Sequence, residues 1–350
     1  MGRPLGAASR AQVSPMRADH VFRTIESHTG GNPTRTVLSG VPPLEGGTML
    51  EKMLDLQRRL DWVRTALMFE PRGHSVMSGC ILTAPCDPRA DVGVLFIETS
   101  GYLPMCGHDT IGLCTVLVET GAVTVKEPHT EIRLDTPAGL VEARVKVCDG
   151  RAQEVSFVNA PSFLLHRDVV IDLPPHGRVR ADIAYGGNFY AITEATQVGL
   201  TLDIDHAAEA IGTAKLLRPA FDAAVDVAHP TLPEIRGLTH IQYFGPPVAD
   251  GADARILVII RPGGADRSPC GTGTCAKVAT LVAKGQLEMG EEFVHESITG
   301  ALFRARAVEK ARVGDLPAVK VEVTGSAFIT GESTFALDPD DPMRHGFLVA

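Results

Sequence analysis

No stretch of about 18 apolar residues occurs in the 350-residue chain, which argues against a membrane-spanning helix. Aromatic residues are scarce, with 13 Phe, four Tyr and a single Trp, and the 33 Lys and Arg are nowhere gathered into a run. Against 42 acidic residues they leave a net charge of −9, so nucleic acid and anionic membrane are set aside as partners. The seven cysteines contain no C-x-x-C pair and no Cys/His grouping with zinc-finger spacing, so no metal site is expected. They read as residues of a reducing compartment. The opening MGRPLGAASRAQVSP lacks the apolar core of a secretory signal, and Gly6 stands where myristoylation needs Ser or Thr. Residues 1–18 read as a disordered tail with Met16 as an alternative start, and the expected location is the cytoplasm.

What is present is enough chain for two domains or one large one, with a slight excess of Gly (35) and Pro (24) that implies many turns. Short β-branched runs at 92–99 (VGVLFIET), 140–147 (LVEARVKV), 254–261 (ARILVIIR) and 318–323 (AVKVEV) predict strands. Apolar residues at three- and four-residue spacing predict helices over 49–60 and 202–217. The mixture indicates an α/β or α+β fold.

The informative feature is a repeat of long period. PMCGHDTIGLCTVLVETG (104–121) aligns without a gap on SPCGTGTCAKVATLVAKG (268–285). In each, a Cys-Gly pair and a polar turn lead into an apolar run that stops at a Gly fifteen residues after the Cys. A second echo lies upstream in each half, GGNPTRTV (30–37) and GGNFYAIT (186–193). Two echoes in one order argue for duplicated halves related by a pseudo-two-fold.

Runs apolar on all sides predict buried helices over 110–119 and 274–283, closed by Gly121 and Gly285 at C′. Cys106 and Cys270 then precede the first turns, where free N–H groups and the positive dipole end favour a thiolate and bind an anion. A two-fold would bring both sulfurs to one cleft, an arrangement suited to two-base proton transfer at a carbon. The amides of Gly107, His108, Gly271 and Thr272 would receive a substrate carboxylate and the charge that develops beside it. Asp266 reads either as an acceptor for a substrate ammonium or as a turn residue, and His108 either as a second contact or as a helix cap. The G-x-G-x-x-A match at 271–276 follows Pro269 rather than a buried strand, so no dinucleotide cofactor is expected. Segment 70–74 (EPRGH) reads as an ion-paired turn, Lys277 as a snorkelling cation, and Cys114 and Cys275 as packing residues.

MCGHDTIG (105–112) and DRSPCGTGT (266–274) resemble the two motifs of the proline racemase superfamily of proline racemases, 4-hydroxyproline 2-epimerases and trans-3-hydroxy-L-proline dehydratases. The resemblance extends through FEPRGH (69–74), YGGNFYAI (185–192), FVHESITG (293–300) and FITG (328–331), and covers about residues 20–350. It implies a diaminopimelate-epimerase-like fold, with two pseudo-symmetric halves that each curl a mixed sheet around a central apolar helix. Expected boundaries are 19–175 for the half with Cys106, 176–335 for the half with Cys270, and 336–350 for a segment packing back on the first half. The resemblance also implies a homodimer and inversion at Cα without a cofactor. Cys106 and Cys270 would be the acid/base pair, Gly107, His108, Gly271 and Thr272 the carboxylate site, and Asp266 with His108 the ring-nitrogen contacts. His240 aligns loosely with a substrate contact. Dehydratases of the superfamily carry Thr in place of the second cysteine, so Cys270 disfavours dehydration, and the wording around Cys106 is closest to bacterial 4-hydroxyproline 2-epimerases. Asp109 departs from the Gly or Asn of many relatives; it would raise the Cys106 thiol unless offset, or would contact a substrate hydroxyl.

Overall fold

The structure is a computed structural model that describes residues 17–233, 235–261 and 263–349. The segment expected as a tail lies, up to residue 16, outside the described residues. The chain opens with the hairpin β1 (His20–Thr29) and β2 (Asn32–Ser39), followed by α1 (Met49–Arg59) and α2 (Asp61–Met68). Then come β3 (Ser78–Thr83), β4 (Val92–Glu98), β5 (Gly101–Leu103), the central helix α3 (Gly107–Glu119), and β6 (His129–Thr136), β7 (Gly139–Cys148), β8 (Arg151–Val158) and β9 (Phe163–Leu173). The second half repeats this order. β10 (Gly177–Tyr185) and β11 (Phe189–Glu194) form the hairpin, and α4 (Ala207–Ala224) follows, packed on β9 and on the next strand. β12 (His240–Gly245), β13 (Ala254–Ile260), β14 (Gly264–Ala265), α5 (Gly271–Ala283), β15 (Phe293–Ser297), β16 (Leu302–Val313), β17 (Leu316–Gly325) and β18 (Ala327–Leu337) follow.

The pairings repeat as faithfully as the order. β2 is parallel to β3 as β11 is to β12, and β4 is parallel to β6 as β13 is to β15. β6–β7–β8 and β15–β16–β17 are antiparallel meanders. The last strand of each unit lies on the first strand of the other: β9 pairs with β10, and β18 with β1 from His20↔Leu337 to Thr29↔Ala327. Residues 327–337 are therefore already on the first half. Further on, the backbone N–H of Phe347 bonds the carbonyl of Glu70 (2.9 Å). β8 also pairs with β17 through Val158↔Glu322, so one mixed sheet runs through both halves.

Each central helix is wrapped by its own strands. Leu113, Leu117 and Val118 of α3, and Cys275, Val278 and Ala279 of α5, belong to one buried cluster that includes Phe157 and Phe303. Burial of each large aliphatic side chain contributes about 1.5–3 kcal/mol. Both helices end in the same motif. In α3 the N–H of Gly121 bonds the carbonyl of Val118 (3.1 Å) and that of Ala122 bonds Leu117 (3.0 Å); in α5 the N–H groups of Gly285 and Gln286 reach Val282 and Leu281 (3.0 and 2.9 Å).

Three expectations are corrected. Helix α4 starts and ends later than 202–217, because Asp203 Oδ1 accepts from the His206 backbone N–H (2.9 Å) and holds that turn out of the helix. The helix then continues through Pro219, where a lost N–H bond is offset by burial of Leu217 and Phe221. Segment 70–74 is bound through the backbone instead of an ion pair: Arg72 donates to the carbonyls of Ala66 (2.7 Å), Met343 (3.1 Å) and Arg344. Lys277 does not snorkel; it is buried with Nζ 3.4 Å from the centroid of the Phe244 ring, and burial lowers its pKa to about 8. Among the described residues no helix is long and apolar enough to cross a membrane.

Candidate active site

Cys106 and Cys270 are the N-cap residues of α3 and α5, and no side chain caps either helix. The Asp109 and Gly273 N–H groups turn back to the Cys106 and Cys270 sulfurs, and those of the two residues before each are not claimed by a side-chain cap. The helices meet end to end at their first residues. A Cβ on Gly107 would lie 3.1 Å from Gly271 Cα and 3.0 Å from Phe157 Cζ, and a Cβ on Gly271 would lie 3.1 Å from Gly107 Cα. A side chain at either position would push the helix ends apart by a few tenths of an ångström, so the Cys-Gly order in both motifs has a packing reason as well as an electrostatic one. Cys270 adopts φ 59° and ψ 103°, an unfavourable conformation for a residue with a side chain, whereas Cys106 is extended.

The two sulfurs are nearly buried, at 6% and 5% exposure, but their surroundings differ. Cys106 Sγ lies 3.3 Å from His108 Nδ1. The other ring nitrogen, Nε2, is 3.2 Å from Asp109 Oδ1 and 3.0 Å from Asn32 Nδ2. A neutral ring protonated on Nδ1 accepts from Asn32, one protonated on Nε2 donates to Asp109 and turns a bare Nδ1 to the Cys106 thiol, and a charged ring donates to both Asp109 and the sulfur. Asp109 is fully buried and accepts from Thr34 Oγ1 and Ser78 Oγ, each at 2.7 Å. It has no exposed surface, and these hydroxyls engage both its oxygens. Burial pushes Asp109 up, but the charge of His108 and the two hydroxyls hold it below the usual carboxylate range. Burial opposes charging His108, yet Asp109 and Cys106 together raise it well above an ordinary imidazole. The Cys106 thiol is pushed to about 12, chiefly by burial and then by Asp109, with His108 acting in the opposite direction.

Cys270 has hydroxyl neighbours instead. Its sulfur is 3.5 Å from Tyr190 Oη and 3.9 Å from Thr272 Oγ1, and those two oxygens are 2.6 Å apart. His240 stacks on Tyr190 at 4.6 Å between centroids and shares a 2.7 Å contact with Thr239 Oγ1. Burial lowers His240 to about 3, so it is neutral. Burial, then the charge of Asp266, raises the Cys270 thiol strongly. Asp266 is 3% exposed and accepts from both the backbone N–H and Oγ of Ser268 (2.8 Å each), while Ser268 Oγ accepts from the Cys270 N–H (3.1 Å).

The structure thus places Cys106, Gly107 and His108 beside Gly271, with Cys270, Thr272, Asp266 and His240 on the second-half side. Asn32 joins the two sides, since its Oδ1 accepts from the Arg267 N–H (3.2 Å) while its Nδ2 meets His108. Sequence reasoning did not assign Asn32, Tyr190 or Ser268 to the site. Asn32 and Tyr190 belong to the GGN echoes, which were available as a signal. Cys106, His108 and Asp109 carry potential metal-ligand atoms within 4.8 Å of one another, but the ring directs opposite nitrogens at sulfur and carboxylate, bridging them instead of converging on a common point.

Residues 24–348 match the proline racemase family. The 4-hydroxyproline 2-epimerase of Streptosporangium roseum is 49% identical over 334 residues, and the proline racemase of Clostridioides difficile is 45% identical over 334; each alignment covers 95% of this chain and 100% of the relative. The crystal structure of a hydroxyproline epimerase from Agrobacterium vitis with bound trans-4-OH-L-proline superposes with a TM-score of 0.88 at 32% identity, covering 96% of both chains. A duplicated α/β fold with cysteines at two abutting helix N-termini and these family-wide likenesses lead to one assignment: the chain belongs to the proline racemase family and is an isomerase of the amino-acid racemase and epimerase class.

Proposed function

We propose that this chain inverts Cα of trans-4-hydroxy-L-proline to give cis-4-hydroxy-D-proline, using Cys106 and Cys270 as the two bases and no cofactor. The observation that carries the reading is the pair of N-cap cysteines on helices that touch at Gly107 and Gly271. One thiolate removes the Cα proton and the opposite thiol supplies one to the other face. The first-turn amides of Gly107, His108, Gly271 and Thr272 hold the carboxylate and stabilise the enediolate-like charge. Asp266 receives the ring nitrogen; His108, expected to share that contact, has its two ring nitrogens engaged by Cys106 and by Asp109 and Asn32 and serves the substrate through its backbone N–H. His240 acts on the pocket through Tyr190. Relatives named 4-hydroxyproline 2-epimerase and a structure holding trans-4-OH-L-proline support the substrate. A site with two free thiols also suits the cytoplasm, where they stay reduced.

Proline racemisation is the second reading, supported by the 45% identical relative of that name. Incubation in D₂O with trans-4-hydroxy-L-proline, L-proline and trans-3-hydroxy-L-proline, followed by NMR and polarimetry, separates them. Inversion of hydroxyproline with Cα deuterium is the expected result. Inversion of proline alone selects the racemase, and loss of water from the 3-hydroxy compound selects dehydration. Cys270→Ser and Cys106→Ser are each expected to lower inversion at least 10³-fold, as removal of a positioned acid/base does. Full inversion in either variant rules the mechanism out.

A further inference from the structure

The two halves repeat strand for strand, yet the groups beneath their cysteines do not. With Cys106 matched to Cys270, Asp109 falls on Gly273. Thr34 and Tyr190 each stand two residues after the Asn of their GGN turn, and the registers Arg35↔Gly79 and Ala191↔Ile241 make Ser78 the counterpart of His240. In the first half these positions hold a buried carboxylate and its two hydroxyl donors. In the second they hold a glycine, a phenol and a histidine that burial keeps neutral. Only Cys106 therefore has an imidazole braced by a carboxylate against its sulfur.

We propose that Asp109 is a positioning residue which, acting through His108, places the single thiolate of the active enzyme on Cys106 and leaves the proton of the pair on Cys270. This rests on the two-base reading above. Starting from the neutral ring protonated on Nε2, the Cys106 proton passes from Sγ to the lone pair of His108 Nδ1 across the 3.3 Å contact, and the Nε2–H of the ring, now charged, is received by Asp109 at 3.2 Å. No electrons move beyond those of the two N–H and S–H bonds. The sign follows from what Asp109 does to the ring. The carboxylate alone raises the thiol, but it is the main group holding His108 charged, and the imidazolium favours the thiolate both by its charge and by its Nδ1–H contact; without the carboxylate both of those are lost. Among the described residues, the other titratable groups that reach Cys106, His108 or Asp109 are Cys80 of β3 and Glu98 of β4, while Asp266 of the second half reaches Cys270. Burial pushes Cys80 and Glu98 toward their neutral forms. Cys270 meets uncharged donors, the hydroxyls of Tyr190 and Thr272 and the Gly273 N–H, and the one charge acting on it, that of Asp266, disfavours a thiolate.

The test is alkylation of the full chain by iodoacetamide between pH 6 and 9, without substrate, with each cysteine quantified by peptide mass spectrometry. Cys106 is expected to react at least tenfold faster than Cys270 at pH 7. In Asp109→Asn, the Cys106 rate should fall at least tenfold and its pH midpoint rise, while the Cys270 rate stays within twofold. Equal rates in the unsubstituted chain, a faster Cys270, or an unchanged Cys106 rate in Asp109→Asn overturns the proposal. Labelling of the buried Cys80 and Cys114 would reveal a variant that fails to fold, and the rate ratio of the unsubstituted chain then decides alone. Cα deuterium exchange of hydroxyproline on the same sample separates this outcome from the reaction itself. Exchange with equal labelling rates removes the role of Asp109 and leaves the two-base reaction standing, whereas biased labelling without exchange does the reverse.

Discussion

His240 shows how a residue can serve a site by staying uncharged. Its ring is stacked on the phenol that contacts Cys270, and burial lowers its pKa from an ordinary 6.5 to about 3. The unfolded chain takes up this proton near pH 6.5 and the folded chain does not, so the group destabilises the fold progressively as pH falls from 6.5 toward 3. The contribution approaches about 1.4 kcal/mol per pH unit in that window. Raised His108 acts with the opposite sign: its stabilisation is complete below 6.5 and is lost as pH rises through its folded pKa. His240→Phe keeps the stacking and leaves Thr239 Oγ1 its bond to the Phe189 carbonyl. Urea unfolding of this variant at pH 6.5, 5.5 and 4.5 is expected to show a shallower loss of stability than the unsubstituted chain, by up to that slope; parallel curves would mean that His240 protonates in the fold. The two cysteines and their glycines were legible because the helix-start signal is local: a Cys-Gly pair and an unbroken apolar run. Tyr190, Ser78 and Thr34 were not, because strand pairing brings them to the helix ends from up to 80 residues away. Asp109 stood out in the motif, but the hydroxyls that turn it inward come from β2 and β3.

At the scale of elements, α3 and α5 are one design used twice. Each spans 13 residues, begins after an N-cap cysteine and ends at a C′ glycine, Gly121 at φ 68° and Gly285 at φ 67°. Nothing lies within 4 Å of a Cβ built at either glycine, so only backbone strain opposes a side chain there. Gly121→Ala and Gly285→Ala should each cost about 1–2 kcal/mol, the penalty of a left-handed non-glycine residue. The equivalent geometry predicts equal costs, and the double variant should lose their sum. Urea midpoints at constant m-value check this; a neutral substitution at either site would show that its helix end can unwind to another cap. These stops, and the helices they close, follow from composition within a 15-residue window. The bounds of α4 do not, because an Asp203 turn at one end and the buried Leu217 and Phe221 at the other outweigh periodicity.

The whole molecule is a closed exchange in which each unit's last strand completes the other unit's sheet, and that fixes how it must unfold. Without β18, β1 keeps only its pairing with β2 and presents an exposed edge. The loss also uncovers α3, and with it the buried cluster shared with Phe303, Val321 and Ala327 of the second half. The GGN turn of the first half is likewise tied to the second: Thr299 Oγ1 donates to the carbonyls of Gly30 (3.0 Å) and Arg267 (3.1 Å). A chain ending at Ser326 should therefore lose structure in both halves, not only at its end. A chain ending at Asp338 keeps β18 and forfeits the Arg72 contacts with Met343 and Arg344 and the Phe347–Glu70 pairing. It should remain folded with a loss of about 2–4 kcal/mol, taking roughly 1 kcal/mol per backbone hydrogen bond removed. Circular dichroism melts and size-exclusion profiles of the two chains distinguish the cases. A cooperative melt for the chain ending at 326, close to that of the full chain, would show that the halves are held by β8–β17 pairing and helix contact alone. The site at the junction of α3 and α5 would then be independent of the exchange that surrounds it.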